Sequence, residues 1–343
     1  ADVARLAKEF AAAPLIIDAL LGTGLSGDAR PLYSEIIRAV NISGRPVVSV
    51  DIPSGIRDGA LPKSVVAVRA ERTITFSLPK LACFYGAGWD ASGLVTRVPI
   101  GVPSAVVDEV APRAVFVESV RARGGLVSRA RSSHKGDFGR VAVVGGSPGL
   151  VGAPRLSALA ALRAGAGLVT IFVPGKFLVA AETLSADIMK QGVGGPDRES
   201  FDERDTDSVF ASLAKADAVV LGPGLGTTGA ALRFIARLVA TLTCPVILDA
   251  DGLRVLEDPA TRDAIRRRKA PTIITPHHGE ASRILGVDSE RIATDAPTFA
   301  RRLAVETGAT CVLKGPTIFI ASPSGARGGS GASAGEPGGP PSR

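Results

Sequence analysis

The sequence predicts an α/β protein: two tandem three-layer αβα units, each a mostly parallel sheet with crossover helices. Three observations predict it. Short runs rich in β-branched residues alternate with segments of helical length along most of the 343 residues, which is the pattern of βα repeats. Many of these runs end in a glycine or acidic cluster, the place where open α/β sheets hold ligands. The alternation lapses over residues 105–128, which carry Pro112 and Gly124, and a chain of this length accommodates two domains.

In the first unit, residues 1–104, residues 1–12 read as the tail of a helix. Residues 15–21 (LIIDALL) read as a buried strand carrying Asp18, and the loop 22–28 (GTGLSGD) follows. A helix over 33–42 leads to a strand at 46–50 (PVVSV), which ends in Asp51-Ile52-Pro53-Ser54-Gly55. Further strands are predicted at 72–76 and 95–100. Asp18 and Asp51 fall at the carboxyl ends of consecutive strands beside glycine loops, which makes each a site candidate or a loop-capping residue.

The second unit, residues 129–322, grows out of 133–152 (SHKGDFGRVAVVGGSPGLVG). There a strand at 140–144 runs into Gly145-Gly146-Ser147-Pro148, and an Ala/Leu-rich helix at 153–164 follows. Strand, glycine turn and helix let backbone N–H groups approach a phosphate, although a tight βα turn without a ligand has the same spacing. Further strands are predicted at 168–173, 218–221, 246–248, 272–275 and 311–313. Four of these runs end in clusters: 222–226 (GPGLG), 249–252 (DADG), 276–280 (PHHGE) and 314–317 (KGPT). Any one suits a turn; together on one rim they point to a ligand groove. Adjacent His277 and His278 cannot share one face of a regular element, so a helix cap or a single imidazole contact is expected there rather than zinc. Residues 323–343 are Gly/Ser/Pro-rich and are expected to be disordered.

Hydrophobic residues make up 45% of the chain and charged ones 21%, as in ordinary globular proteins. No apolar run is long enough to span a bilayer, and no secretory signal opens the chain, so membrane partners are not expected. The three dispersed cysteines, Cys83, Cys244 and Cys311, fit reduced core positions and a cytoplasmic location. The net charge of +7 comes largely from 121–140 and 262–269. Without interleaved aromatics these runs read as solvated linker and helix face, and nucleic acid is not an expected partner. The only methionine is Met189 and residue 1 is alanine, which suggests processing, trimming or a fragment.

Taken together, the motifs resemble the bifunctional NAD(P)H-hydrate repair enzymes, in which an epimerase domain is joined to an ADP- or ATP-dependent dehydratase. In the first unit the resemblance rests on IDALLGTGLSG, PVVSVDIPSG and TFSLPKLACFYG. In the second it rests on HKGDFGRVAVVGGSPGLVGAP, LRAGAGLVTI, VVLGPGLG, VILDADGL, TPHHGE and VLKGPT. These motifs reach from Leu15 to Ile320. The resemblance implies a Rossmann-like epimerase part followed by a ribokinase-like dehydratase domain. It places potassium at Asp18 and Ser54, and the hydrated cofactor of the first unit at Gly22, Thr23, Gly24, Leu25, Ser26, Gly27, Asp28 and Asp51. Asp51 or Asp18 would be the epimerase carboxylate, with Asp51 preferred. In the second unit it places the hydrate near Ala153, Gly224, Gly226 and His277, and the nucleotide at Lys314, Gly315, Pro316, Thr317 and Ile318. ADP or ATP, Mg²⁺ and K⁺ are the implied cofactors, NADH or NADPH hydrate the substrate, and a homo-oligomer the expected assembly.

The sequence departs from this family in three places. His278 stands where the motif usually has proline. The Asn-Asn-Gly-Gly-Asp-Gly loop that opens the epimerase is absent before Ala1. The Gly-Ser-Gly-Asp turn that supplies the dehydratase base is matched only by Gly329-Ser330-Gly331 followed by Ala332, too close to Lys314. The chain is therefore expected to be truncated at both ends and impaired in both reactions. A ribokinase-like small-molecule kinase and a non-catalytic nucleotide-binding protein are the alternative readings.

Overall fold

The computed structural model describes residues 2–59, 62, 64–110, 114–117, 119–124, 126, 129–183 and 186–324. The expected tail beyond residue 324, including Gly329-Ser330-Gly331-Ala332, lies outside the described residues. Two sheets are present. The first has four parallel strands in sequence order: β1 (Ile16–Asp18), β2 (Val47–Val50), β3 (Arg72–Phe76) and β4 (Leu94–Val98).

The second sheet has eight strands: β5 (Arg140–Val144), β6 (Leu168–Pro174), β7 (Met189–Val193), β8 (Ala218–Leu221), β9 (Val246–Leu248), β10 (Thr272–Ile274), β11 (Thr310–Leu313) and β12 (Phe319–Ala321). Their order is β12-β11-β10-β9-β8-β5-β6-β7, and only β12 runs antiparallel. The order reverses beside β5, so the carboxyl ends of β5, β8, β9, β10 and β11 form one continuous rim.

Period-two alternation sorts the strand residues of the second sheet between two cores. Ala142, Val144, Phe172, Leu221, Leu248 and Leu313 join Phe234 and Leu238 of the helix Gly229–Thr241 on one face. Val143, Val169, Ile171 and Val173 join Ala158 of the helix Gly152–Ala164 on the other. The sheet is thus the middle of three layers over β5 and β6. Over β9 to β11 the second face, bearing Ile247, Ile273 and Val312, is only half-buried among the described residues.

In the first sheet the helices lie on one face. Ile16 and Val47 pack against Ile37 and Val40 of the helix Pro31–Ile42, and the Thr73 hydroxyl donates to Ser92 O at 2.7 Å. The same face carries a buried polar row, Asp18, Ser49 and Thr73, in register across β1, β2 and β3. On the opposite face Ile17 is 67% exposed.

The structure differs from the sequence expectations at several boundaries. The strand expected over 15–21 stops at Asp18, because that side chain turns inward to the loop. The weakly patterned stretch 105–128 carries two short helices, Ser104–Val110 and Ser119–Gly124. Two edge strands, β7 and β12, were not expected. The basic run 262–269 is not simply solvated. Arg268 donates to Val239 O, Leu242 O and Cys244 O at 2.5–2.6 Å, and Arg262 donates to Leu256 O at 2.6 Å, so both tie helix ends to the core. No helix among the described residues is long and apolar enough to cross a membrane.

Candidate functional site

Polar residues gather at the carboxyl rims of both sheets. In the first sheet Asp18 closes β1 with only 5% of its surface exposed. Its Oδ2 accepts from the Ser49 hydroxyl at 2.7 Å and from Ser54 N–H at 2.9 Å. Its Oδ1 accepts from the Ser54 hydroxyl at 2.5 Å and from Leu20 N–H at 3.4 Å. Leu21 N–H donates to Ser54 Oγ at 2.8 Å, which fixes the start of the 22–28 loop. That loop is exposed apart from Leu25, and Asp28 at its end lies 3.7 Å from the Arg57 guanidinium.

Asp51 follows β2 in the left-handed region, with φ of 69°, a conformation that Asp tolerates better than most residues. This turns its carboxylate toward the end of β3. Oδ1 accepts from Lys80 Nζ at 2.5 Å, from Phe76 N–H at 3.0 Å and from the Thr75 hydroxyl at 3.2 Å. Burial opposes its charge, but the Lys80 and Phe76 hydrogen bonds, the Lys80 charge and Thr75 together hold the carboxyl below the usual range. Asp51 is therefore an anion, suited to accept a proton rather than to donate one. Asp18 and Asp51 share one rim, through Ser54, three residues beyond Asp51.

The second rim is knitted together by close backbone contacts. Gly222 has φ of 114°, and a Cβ there would lie 2.2 Å from Asp249 O. At Gly224, with φ of 62°, a Cβ would lie 2.4 Å from Leu150 O and 3.3 Å from Ala153 Cβ. Only glycine allows either approach. Gly226 N–H donates to Asp251 Oδ2 at 2.9 Å. Asp249 Oδ1 accepts from the Thr275 hydroxyl at 2.6 Å and from Lys314 Nζ at 2.9 Å. Burial opposes the Asp249 charge, yet Thr275 and Lys314 bring its pKa below the ordinary value. Lys314 N–H in turn donates to Pro276 O at 2.8 Å, and His277 pairs with Lys314 along the backbone.

His277 caps the helix His278–Leu285. Its Nδ1 accepts from Gly279 N–H at 2.9 Å and from Glu280 N–H at 3.3 Å, while Glu280 accepts from His277 N–H at 2.8 Å. Nδ1 is thereby committed, and Nε2 lies 3.6 Å from Glu280 Oε1. No group of three His, Cys, Asp or Glu side chains among the described residues is placed to hold a metal ion.

Of the residues expected from sequence to share a groove, Lys314 bonds Asp249 and pairs with His277, Gly226 bonds Asp251, and Gly224 lies beside Ala153. The sequence assigns no site role to Lys80, Ser49 or Thr275, and offers Asp249 and Asp251 only as part of the 249–252 cluster. Lys80 and Asp249 do lie inside the motifs TFSLPKLACFYG and VILDADGL, but only folding shows which anion or cation each one meets.

Residues 141–335 match the family model described as NAD(P)H-hydrate dehydratase. The chain belongs to this family. Residues 2–82 match a second model, the YjeF-related protein N-terminus. The chain is 34% identical over 325 residues to the bifunctional NAD(P)H-hydrate repair enzyme Nnr of Moorella thermoacetica, covering 95% of this chain and 60% of that protein. It is 35% identical over 309 residues to the enzyme of the same name from Escherichia coli K12, covering 90% and 56%. The chain therefore spans about three fifths of the length of these relatives. Among solved structures, an ADP/ATP-dependent NAD(P)H-hydrate dehydratase from Bacillus subtilis, co-crystallized with ATP/Mg²⁺, is 27% identical, with a TM-score of 0.49 over 60% of this chain and 68% of that one. The dehydratase-family part of the chain contains the second sheet, apart from Arg140, and its rim.

Proposed function

We propose that the chain acts in nicotinamide-cofactor repair, binding hydrated NADH or NADPH at both rims and a nucleoside di- or triphosphate at the second. The observation that carries this reading is the contact chain Ala153–Gly224 and Gly226–Asp251, joined through Asp249 to Thr275, Lys314 and His277. This supports a hydrate site beside a nucleotide loop, as a phosphoryl transfer between two bound molecules requires.

The chemistry follows from a poor leaving group. Transfer of a phosphoryl group from the nucleotide to the ring hydroxyl, with loss of the hydroxyl proton to a base, converts hydroxide into phosphate as the group that departs. Expulsion of phosphate with loss of a ring proton then restores the dihydronicotinamide. Lys314, held by Asp249, would position the nucleotide, and His277 would orient the hydrate. Mg²⁺ fits as an ion carried mainly by the nucleotide phosphates, since the rim offers separate carboxylates rather than a cage; when bound it would neutralise transferring charge.

In the first domain, taken as residues 1–104, Asp51 is the proposed proton acceptor for epimerisation. Asp18 and Ser54 supply the right donors for potassium: a buried carboxylate, a hydroxyl and the neighbouring Leu21 carbonyl, 3.2 Å from Ser54 Oγ. The four described donors to Asp18 are neutral, so a cation there would balance its charge. Residues 105–128 would link the two domains, with the second taken as residues 129–322. A homo-oligomeric, cytoplasmic protein completes the reading.

The test is an assay of the full chain with the S-hydrate of NADPH, Mg²⁺ and either ADP or ATP, following the return of NADPH. We expect both ligands to bind and NADPH to return only when the nucleotide is present. Failure of either ligand to bind, or return of NADPH without nucleotide, would overturn the reading.

A further inference from the structure

Six buried polar side-chain atoms among the described residues have no hydrogen-bond partner: Arg57 Nε, Ser77 Oγ, Ser92 Oγ, Arg254 Nε, His278 Nε2 and Thr317 Oγ1. Folded proteins keep few such atoms, because each loses its water without a replacement. The last two of the six belong to residues that both border Gly315. Backbone pairing of His277 with Lys314 sets residue 278 beside residue 315. A Cβ on Gly315 would lie 2.9 Å from His278 Nε2, 3.0 Å from His278 Cε1 and 3.4 Å from Thr317 O. The imidazole therefore occupies the space that a side chain at 315 would take, and the 314–318 loop rests on its edge.

The surroundings narrow what the two atoms are for. Lys314, the first residue of that loop, brings an ammonium group held by Asp249 at 2.9 Å. Two amides at the start of the neighbouring helix, those of Gly279 and Glu280, are already taken by His277 Nδ1, which leaves side chains to supply much of the contact to an anion there. Burial, followed by the proximity of His277, lowers the pKa of His278, so the ring is neutral at pH 7 and has one nitrogen able to donate.

We propose that His278 is a nucleotide-contacting residue: its Nε2–H, together with the Thr317 hydroxyl, donates to the phosphate chain of a nucleoside di- or triphosphate held by the 314–318 loop. This rests on the reading of that loop as the nucleotide site and adds to it a side chain from the neighbouring strand end. Both atoms are left unsatisfied in the free protein and gain their partners when the loop is filled, so the arrangement favours the ligand at the expense of the empty fold.

Titration calorimetry on the full chain, with ADP and with ATP in the presence of Mg²⁺, tests it. His278→Phe keeps a flat ring against Gly315 and removes both nitrogens, Thr317→Val removes the hydroxyl at nearly constant shape, and His278→Gln returns a donor. Phe and Val are each expected to weaken binding of both nucleotides about tenfold or more, with no fall in melting temperature, while Gln retains most of the affinity. Unchanged affinity in Phe and Val overturns the proposal. So does equal weakening by Phe and Gln, which would mean the ring acts by packing. If the unmutated chain binds neither nucleotide, the nucleotide reading of 314–318 fails and takes this inference with it.

Discussion

Asp18 and Asp51 are two carboxylates in one motif-rich stretch that the fold puts to different uses. Asp18 is buried and holds the Ser49, Ser54 and Leu20 donors, so its removal strands several polar groups at once. Asp18→Ala is expected to destabilise the first sheet by about 2–4 kcal/mol, read as an earlier urea transition. Asp51 is ionised against Lys80, and its folded pKa lies below that of an unfolded aspartate, about 3.9. Its contribution to stability is therefore present above that value and is lost as pH falls through the folded pKa. In Lys80→Met the folded pKa moves back up and the gain disappears, so the difference in urea midpoint between the two proteins should shrink below about pH 4. A constant difference down to pH 2 would assign Lys80 a packing role only. The cysteines follow burial in the same way: buried Cys311 has its thiol pushed up to about 12, and burial also raises Cys83. Neither should react with a thiol reagent at pH 7 without denaturant.

At the scale of elements, legibility tracked hydrophobic pattern. Runs such as RTITF, RVAVV and AVVL became strands with the expected bounds because their β-branched residues are buried in alternation or on both faces. Strand β7 (MKQGV) gave no such signal: it sits at the edge of its sheet, and of its five residues only Val193 is buried. Strand β12 is three residues long, follows Pro316 and also lies on an edge. The glycine clusters were legible as a rim, because turn chemistry and strand ends can be read locally. The pairings Asp51–Lys80 and Asp249–Lys314 were not, since partners 29 and 65 residues apart meet only through strand order. The helix Gly229–Thr241 is the main support of the second sheet, with Phe234 stacked on Phe201 at 5.0 Å. Phe234→Ala should cost about 3–5 kcal/mol, measured by chemical denaturation. Gly222→Ala should be poorly tolerated as well, because Asp249 O already fills the place of a Cβ; a loss of soluble folded protein is the expected readout.

At the scale of the whole molecule, the two sheets are joined as well as tandem. Tyr85 meets Phe319 edge to face at 6.0 Å, and Phe319 directly follows the 314–318 loop. Tyr85 lies five residues beyond Lys80, so a single short stretch runs from the Asp51 carboxylate to the edge of the second sheet. The central claim is that the strand-end clusters of that sheet form one groove that holds hydrate and nucleotide together. Hydrogen–deuterium exchange of the full chain, with and without NADPH hydrate plus ADP, tests this most directly. Residues 222–226, 249–252, 275–280 and 314–318 are expected to become protected together. Protection confined to one of these segments, or appearing away from the rim, would contradict it.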